Sequence, residues 1–376
     1  MSVVFLSSGH LPLDDRIFHH MAHAILKTGK KVGIITSNSD MQEDIDQISI
    51  DCFESHDLTK KEKIASFITK LSKHNPEKII CSEPLPVIAA HYFNKKRKKK
   101  AKIIYDITEW YPSKKNLSIY SGWKKIWPFF TLLIFNFYAC SKADAFIFGE
   151  YYKEIPWKYL FPLKKRIRIP YFPKPELFPL NPTTSSSNNA LNLMYSGKLS
   201  KEKGLENFLK AIQAIQTLRP EMKIQCKLVG WFESEQDKEH YLKQFKGLPY
   251  VSLLHIPSLP LTNYIEYITD TDVFLDLRIT DFENMHCLPI KLFYFVALGK
   301  PVIFSRLKAI QKEVEIDQFG HLVKPTDSEH IAKLIIEYKE NPAYYNSHCE
   351  NARNLYTSKY NWKLLEGAFV DFVASI

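Results

Sequence analysis

Three features are missing from this sequence of 376 residues, and each absence excludes a class of protein. The six cysteines are scattered without a Cys-x-x-Cys pair, which argues against a zinc site or a disulfide framework and for a reducing compartment. No uninterrupted run of about 18 apolar residues occurs, so no segment is expected to span a bilayer. The first ten residues lack the basic start and the long apolar core of a signal peptide. We therefore expect a cytoplasmic protein.

A glycine-rich dinucleotide loop is missing as well. No Gly-x-Gly-x-x-Gly follows the first apolar strand of either half, which disfavours a dinucleotide-dependent oxidoreductase. The composition, 45% hydrophobic and 24% charged, is that of a globular protein. The length is enough for two domains of ordinary size with separate cores.

The surplus positive charge lies entirely in the first half. Residues 1–180 hold 29 Lys and Arg against 18 Asp and Glu, a net charge of +11, whereas residues 181–376 hold 22 against 23, a net charge of −1. Four of the six tryptophans also lie in the first half: Trp110, Trp123, Trp127 and Trp157. A basic, aromatic half suggests that one domain meets an anionic surface and the other does not.

Short apolar segments alternate with helical patterns along both halves. Such segments are typical of buried parallel strands. In the first half they predict strands at Val3–Ser7, Lys31–Thr36, Lys78–Cys81, Lys102–Asp106 and Ala145–Phe148. After a stretch rich in proline and serine, the pattern starts again and predicts strands at Asn192–Tyr195, Gln225–Val229, Val251–His255, Val273–Leu277 and Pro301–Phe304.

This order of elements predicts an α/β protein with two Rossmann-like domains facing a cleft. The first domain is expected over residues 1–172 and the second over residues 191–356. Residues 173–190, rich in proline and then in serine and asparagine, are the expected linker. A C-terminal helix, 357–376, could pack back on the first domain.

The loop after the first strand of the second half has the features of a diphosphate site. Gly197 allows a tight turn, and Lys198 and Lys203 lie five residues apart before a helix predicted to start at Gly204. Free amides and two cations at a strand-to-helix loop suit a diphosphate. Taken alone, the segment is more typical of a solvated, lysine-rich turn, because such turns are common.

A second segment, Asp281–Ile303, predicts a helix over Pro289–Leu298. Proline suits the first helical turn, and Gly299-Lys-Pro301 stops the helix before the next strand. The positive end of this helix is expected to point into the interdomain cleft, where it would stabilise a negatively charged ligand.

Four segments resemble motifs of the family-4 retaining glycosyltransferases, which have the GT-B fold. Leu288–Ile303 is similar to the family's LPxKLFEYMAxGKPVI helix, and Tyr195–Gly204 is similar to its G-R/K-L-x-x-x-K-G loop. Gly9–Phe18 resembles the opening H-x-x-x-D-x-R-I-F, and Asp106–Pro112 resembles the segment D-x-H-E-x-Y-P. The four motifs occur in the family's order and together cover most of the chain.

The resemblance implies which residues hold a nucleotide-sugar donor. Lys198 and Lys203 would neutralise the diphosphate, and Glu283 would contact the transferred sugar with the amides near His286–Leu288. The implied donor-side positions are Gly197, Gly204, His286, Leu288, Pro289, Lys291 and Tyr294, and the implied acceptor-side positions are His10, Arg16, Thr108 and Glu109. The implied fold needs no metal and no other cofactor, because the nucleotide-sugar is a co-substrate.

Two positions depart from the family's motifs. Tyr294 replaces the glutamate that usually grips the nucleotide ribose, and a phenol cannot hold two vicinal hydroxyls as a carboxylate does. Thr108 replaces the histidine of D-x-H-E, while Glu109 remains. The departures motivate a second hypothesis, a degenerate member that binds nucleotide or glycan without turnover, as the partner of an active enzyme.

Several polar residues have a structural explanation beside the functional one. Asp15 precedes an apolar periodic stretch and is a candidate N-cap, and Arg16 could pair with Asp15 or with a neighbouring carboxylate. For His10, Asp15 and Arg16, this structural role and contact with an acceptor both stay open. His19, His20 and His23 have a spacing compatible with a metal, but no acidic or cysteine partner completes a set, which favours packing roles. The pair Asp270 and Asp272 looks like a metal-binding DxD motif, and we interpret it as a helix–strand turn.

Two basic or aromatic stretches bear on membranes and nucleic acids. The lysine-rich stretch 94–102 has no interleaved aromatic residues, so a specific nucleic-acid reader is not expected. Ile126–Ala139 is almost wholly apolar and too short to span a bilayer. It fits either a core helix of the first domain or an interfacial helix on anionic lipid, and the sequence leaves both open.

The sequence therefore predicts transfer of a sugar, with retention, from a nucleotide-sugar to an acceptor. The acceptor would be a saccharide or a lipid-linked saccharide of a bacterial surface polymer. The protein is expected to be cytoplasmic, on its own or peripheral on the inner face of the membrane.

Overall fold

The computed structural model describes residues 2–178 and 190–376. The chain divides into two compact units, one formed by Met1–Tyr171 with Lys363–Ile376 and the other by Phe172–Trp362. Of the predicted linker, residues 179–189 lie outside the described residues, and Pro175–Leu177 forms one turn of 3-10 helix. The C-terminal residues from Lys363 onward belong to the first unit, whereas 357–362 belong to the second.

The first unit is built on an eight-stranded sheet with the order β3-β4-β2-β1-β5-β6-β7-β8. All neighbouring strands are parallel except the β3–β4 pair. The strands are β1 (Ser2–Ser7), β2 (Lys31–Thr36), β3 (Gln42–Ile45), β4 (Ile48–Asp51), β5 (Lys78–Cys81), β6 (Lys102–Ile107), β7 (Ala145–Phe148) and β8 (Lys165–Arg168).

Helices connect these strands and cover the sheet. A π-helical segment, Asp15–Ala22, leads into the first α-helix, and Gly122–Lys125 is a 3-10 turn. The α-helices are α1 (His23–Leu26), α2 (Lys60–His74), α3 (Pro84–Lys95), α4 (Lys114–Leu117), α5 (Ile126–Lys142) and α6 (Tyr151–Leu160), joined by the C-terminal α15 (Lys363–Ser375).

The second unit has a six-stranded, wholly parallel sheet with the order β11-β10-β9-β12-β13-β14. Its strands are β9 (Leu191–Lys198), β10 (Ile224–Trp231), β11 (Val251–Ile256), β12 (Val273–Asp276), β13 (Val302–Ser305) and β14 (Gly320–Val323). Its helices are α7 (Leu205–Leu218), α8 (Glu235–Lys246), α9 (Leu261–Ile268), α10 (Phe282–Met285), α11 (Ile290–Ala297), α12 (Lys308–Glu313), α13 (Ser328–Glu340) and α14 (Pro342–Ser358), with a 3-10 turn at Ile316–Gln318.

The prediction of two Rossmann-like α/β units is confirmed. The apolar tetrapeptides β5 and β7 are buried at every position, as expected for central strands covered on both faces. The sequence prediction missed β3 and the edge strand β8, because their largely polar residues give no apolar run. It also missed β4 and β14, in which only two of the four residues are buried.

The start of the first helical segment differs from the prediction. Asp14, not Asp15, is the N-cap, and its carboxylate accepts from the amides of Arg16 and Ile17. The segment is π-helical where an ordinary helix was expected. Two histidines bond to carbonyls five residues back, His20 to Asp15 and His23 to Phe18, which accompanies the wider turn.

Helix α5 is not a core helix, so that alternative for Ile126–Ala139 is wrong. Of its seventeen residues only Asn136, Ala139 and Cys140 are buried. Phe135 is partly buried against the core of the first unit, and most of the other aromatic and aliphatic side chains of the helix are on the surface.

Candidate functional site

The loop between β9 and α7 depends on glycine at its end. Gly204 has φ +96°, and a Cβ there would lie 2.2 Å from the backbone carbonyl of Leu277. Only glycine fits so close to the chain that follows β12. The contact sets the loop against the carboxyl end of the second unit's sheet, the edge at which open α/β sheets bind ligands.

Tyr195 fixes the conformation of this loop through its hydroxyl group. Its buried hydroxyl donates to the carbonyl of Lys203 at 2.7 Å and lies 3.2 Å from the carbonyl of Lys198. Both lysines singled out in the sequence are therefore fixed by their backbone to the same phenol. Sequence reasoning assigned no role to Tyr195, although a tyrosine at the end of a buried strand, just before a polar loop, is a signal for such a brace.

Lys203 connects the loop to α10. Its ammonium donates to Asn284 Oδ1 at 3.0 Å. Asn284 is itself held by Asp281, which accepts from the Asn284 amide at 2.9 Å and from its side chain at 3.1 Å. The structure thus brings Lys203 to the short helix that carries Glu283.

Lys198 forms an ion pair with Glu233, just beyond the end of β10. Both side chains retain solvent contact, so the pair is a surface pair that a multivalent anion could replace. Lys201, by contrast, pairs with Glu206 at 3.0 Å and is 78% exposed.

Lys291, in the first turn of α11, reaches the end of β9. Its Nζ lies 3.2 Å from the position that a Cβ on Gly197 would take. Among residues 2–178 and 190–376, no acceptor lies within hydrogen-bond or ion-pair distance of this ammonium. Burial lowers the pKa of Lys291 to about 8, against the attraction of Asp276. A partly buried ammonium without a bonded acceptor favours an anionic ligand at this point.

The N-terminus of α11 begins one residue later than predicted. Pro289 is the N-cap and Ile290 the first helical residue, and no side chain of the described part of the chain caps the helix. The amides of the first turn therefore stand beside Lys291 with the positive end of the helix dipole. Pro289 is buried, and Leu288 before it is half-buried.

Tyr294 lies one turn further along α11, inside an aromatic cluster. Its ring is 5.5 Å from that of Phe178 and 6.1 Å from that of Tyr264, and the residue is 6% exposed. Glu283 and His286 are half-buried in and after α10. The His286 Nδ1 bonds to the carbonyl of Phe282 at 2.9 Å, and the two rings are in edge contact.

The second unit thus brings together most of its predicted residues. The amino-terminal turn of α11, the β9–α7 loop and α10 meet at the carboxyl edge of the six-stranded sheet, with Lys203 and Lys291 as the two connecting cations. The arrangement can bind a diphosphate through ammonium groups and backbone amides.

Arg16 in the first unit forms a buried ion pair with Asp106. The guanidinium donates to both carboxylate oxygens at 2.7 Å and to the carbonyl of Ile169 at 2.8 Å, and it stacks on the ring of Tyr171. It is 2% exposed. The structure therefore places Arg16 in the interior, bonded to the first residue of the Asp106–Pro112 motif.

His10 lies in a second polar cluster, at the end of β1. Its Nδ1 bonds to Asp14 at 2.9 Å, and its Nε2 is 3.6 Å from Glu83. Burial would lower the pKa of His10, but the bond and charge of Asp14, with Glu83, raise it to about 9. His10 is therefore a cation at neutral pH.

Glu83 is the residue of this cluster that sequence reasoning missed. Its carboxylate accepts from the amides of Ser8 at 2.7 Å and Gly9 at 3.1 Å and from the Ser7 hydroxyl at 2.9 Å. The only signal was its position, after the buried strand β5 and before Pro84. The other two acceptor-side residues differ in exposure, since Thr108 is buried and Glu109 is exposed.

The candidate metal motifs have structural partners. Asp272 accepts from the amide of Asn192 at 2.8 Å, and Asp270 pairs with Lys227. Both stand in the turn between α9 and β12. In the parts of the chain that the structure describes, no three His, Cys, Asp or Glu side chains are grouped to hold a metal.

The family model for glycosyl transferases group 1 matches residues 183–355, nearly the whole second unit but less than half of the chain. No curated protein sequence matches this chain.

Solved structures match over the full length. The sucrose-phosphate synthase from Thermosynechococcus elongatus has a TM-score of 0.76 at 14% identity and is matched over 100% of this chain and 98% of its own. HepE from Anabaena, in complex with UDP-glucose, has a TM-score of 0.70 at 15% identity, with both chains covered completely. The lipopolysaccharide outer core galactosyltransferase WaaB has a TM-score of 0.65 at 13% identity over 100% and 99%. The chain has the fold of these GT-B glycosyltransferase structures, and its second unit matches the group 1 glycosyl transferase family.

Proposed function

We propose that this protein is a glycosyltransferase that binds a nucleotide-sugar at the carboxyl edge of its second sheet. The observation that carries the proposal is the position of Lys291, whose ammonium lies beside Gly197 and has no bonded acceptor among residues 2–178 and 190–376. The match of this unit to the group 1 family supports it. So does the complex of a structural neighbour, HepE, with UDP-glucose.

Catalysis in this proposal rests on charge. Lys198, Lys203, Lys291 and the amides at the start of α11 stabilise the departing diphosphate, which is the group that gains negative charge as the glycosidic bond breaks. Glu283, next to Asn284 on α10, is the proposed contact with the transferred sugar. The anomeric configuration is retained, and no metal is required, since cations of the chain neutralise the diphosphate.

The proposed acceptor is a saccharide or a lipid-linked saccharide of a bacterial surface polymer. The likeness to the lipopolysaccharide outer core galactosyltransferase supports a saccharide of this kind. A lipid-linked acceptor would place the enzyme, otherwise cytoplasmic, on the inner face of the membrane. His10, Thr108 and Glu109 are the proposed acceptor-side contacts. Arg16 would support them through Asp106, because its own guanidinium is buried.

The experiment is a panel of UDP-, GDP- and ADP-sugars, with slow donor hydrolysis as the readout. We expect hydrolysis of one donor class, unaffected by EDTA, and its loss in the Lys203→Ala variant. Lys201→Ala is the matched control, because that lysine lies in the same loop but pairs with Glu206. Hydrolysis of no donor, together with no binding of any nucleoside diphosphate, would overturn the proposal.

A second candidate function is binding without turnover, as the partner of an active enzyme. It is favoured by the burial of Tyr294 between Phe178 and Tyr264, where the resembling motif has a ribose-binding glutamate. Tight binding of one nucleotide with no hydrolysis and no transfer in the same panel would select this candidate.

A further inference from the structure

Helix α5 exposes an unusual amount of apolar surface. Trp127 is 81% exposed and Ile134 is 68% exposed, and six further apolar side chains of the helix are on the surface: Ile126, Phe129, Phe130, Leu133, Phe137 and Tyr138. Large contiguous apolar patches on a protein surface mark interaction sites.

The sequence of α5 contains no charge between its ends. The sixteen residues 126–141 include no Asp, Glu, Lys or Arg, whereas Lys124 and Lys125 precede them and Lys142 follows them. A surface helix of a globular domain ordinarily has a polar outer face. Here the outer face is apolar and the charges are confined to the ends, and every one of them is positive.

The apolar surface continues beyond both ends of the helix. Ile119 and Trp123, on the segment that leads into α5, are exposed. Leu160, the last residue of α6, and Leu163 after it are exposed as well. The rings of Phe137 and Phe161 are 5.2 Å apart, which joins the end of α6 to α5. We call the exposed apolar residues of 119–138 and 160–163 the aromatic patch.

A groove lined by lysines lies beside the C-terminal end of α5. Lys95, Lys100, Lys102 and Lys142 line it, with Asp144 as the only acidic residue among its lining residues. His91 stands in the groove, and its ring contacts that of Tyr138 on α5 at 6.4 Å. Burial lowers the pKa of His91, and Lys142, Lys95 and Lys100 lower it further, so the groove has a positive potential.

The patch and the groove together identify the occupant by its chemistry. It must cover a long, flat apolar surface and supply negative charge at the edge of that surface. Acyl chains can cover the apolar surface, and phosphate headgroups can supply the negative charge. An anionic bilayer therefore meets both conditions. Among the helices of residues 2–178 and 190–376, none is long and apolar enough to cross a bilayer. The helix would therefore lie along the surface.

We propose that the first unit docks on an anionic phospholipid membrane, with α5 in the interfacial plane and lipid phosphates in the lysine groove. Trp123 and Trp127 enter the boundary between headgroups and acyl chains, where indole rings are favoured. The purpose of docking, access to a lipid-linked acceptor, rests on the proposed function. The docking itself does not depend on donor binding.

The experiment is co-sedimentation of the full chain with vesicles of phosphatidylcholine alone or with one-third phosphatidylglycerol, without any nucleotide. We expect binding to the anionic vesicles at low salt, a blue shift of tryptophan fluorescence, and release at 1 M salt, where the screening length falls to about 3 Å.

Two pairs of variants separate the apolar and the charged contributions. Trp123→Ser with Trp127→Ser should abolish the blue shift, and Trp231→Ser, an exposed tryptophan of the second unit, is the control. Lys95→Glu with Lys100→Glu should weaken vesicle binding at least about 25-fold, since each engaged lysine contributes about five-fold. Lys243→Glu with Lys246→Glu, two exposed lysines of α8, is the matched control and should change it little. Circular dichroism verifies folding.

Absence from the anionic pellet at low salt would overturn the proposal, and a concentration-dependent dimer that buries the tryptophans instead would identify a second copy as the occupant. Equal binding to neutral vesicles at high salt would overturn the role of the lysine groove. Calorimetry of nucleoside diphosphates without vesicles tests the donor site separately, so failure of one proposal does not mimic failure of the other.

Discussion

Raising the pH from 7 to 9 should weaken the binding of a nucleoside diphosphate, because Lys291 loses its proton in the free protein over this range. Burial has lowered the pKa of this lysine to about 8. A bound diphosphate beside Gly197 would supply the missing negative charge and return the pKa toward its ordinary value of 10.5. Binding is then coupled to uptake of a proton, so affinity falls as the pH rises.

The expected change in affinity follows from the pKa values of Lys291 in the free protein and in the complex. In the free protein, Lys291 is about nine-tenths protonated at pH 7 and about one-tenth protonated at pH 9. In the complex it remains protonated throughout. Affinity should therefore fall about ten-fold between pH 7 and 9, which is about 1.4 kcal/mol. The ligand contributes little to this change, because the second pKa of a phosphate is about 6.

Isothermal titration calorimetry at pH 8 in two buffers of different ionisation enthalpy measures the proton uptake directly. Lys291→Met should bind more weakly and without proton uptake, whereas Lys291→Arg keeps its charge at pH 9 and should bind with a flat pH profile. An affinity that does not change between pH 7 and 9, with no proton uptake by the wild type, would refute the contact between Lys291 and the diphosphate.

Two further substitutions test other parts of the account. Tyr294→Glu should keep or raise donor affinity if the protein is an active transferase, because a carboxylate accepts from both ribose hydroxyls; loss of binding in a folded variant, measured by calorimetry, would show that the aromatic cluster is needed instead. Arg16→Ala should lower the free energy of unfolding by about 3–5 kcal/mol, since it leaves the Asp106 carboxylate buried and unpaired. In urea denaturation the double variant with Asp106→Ala should be clearly more stable than Arg16→Ala, and an equal or lower stability would contradict the ion-pair argument.

The sequence predicts the central strands well for a physical reason. A parallel strand covered on both faces must be largely apolar, so residues 79–81 and Ala145–Phe148 stand out in the sequence. The strands Lys78–Cys81 and Ala145–Phe148 have the predicted bounds. The strand Gln42–Ile45 escapes prediction because it is polar and forms only an exposed hairpin edge. The local sequence pattern predicts a strand correctly where burial requires apolar residues.

Contacts between distant parts of the chain could not be predicted. Arg16 and Asp106 were each noticed, but their pairing depends on β1 and β6 both ending at the same edge of the sheet. Asn284, which bonds to Lys203, gives no signal in the sequence, because an asparagine in a short polar segment has many ordinary explanations. The loop glycines were predictable, since a strand-to-helix turn demands them.

The hydropathy of α5 does not by itself predict that the helix is exposed. An apolar helix of fourteen to seventeen residues can be buried by its own domain or by a membrane, and composition does not distinguish the two. The structure shows that the helix is not buried by its own domain, because Trp127 and Ile134 are exposed.

The most direct test of the central claim is the affinity of a nucleoside diphosphate for Lys203→Ala compared with Lys201→Ala. The two lysines lie in one loop, but Lys203 bonds to Asn284 in the candidate site whereas Lys201 pairs with Glu206 outside it. The account predicts a loss of about 1.5–3 kcal/mol for Lys203→Ala, as for a charge-assisted contact, and a change within about 0.5 kcal/mol for Lys201→Ala. Unchanged affinity of Lys203→Ala for every nucleoside diphosphate that binds the wild type would contradict it.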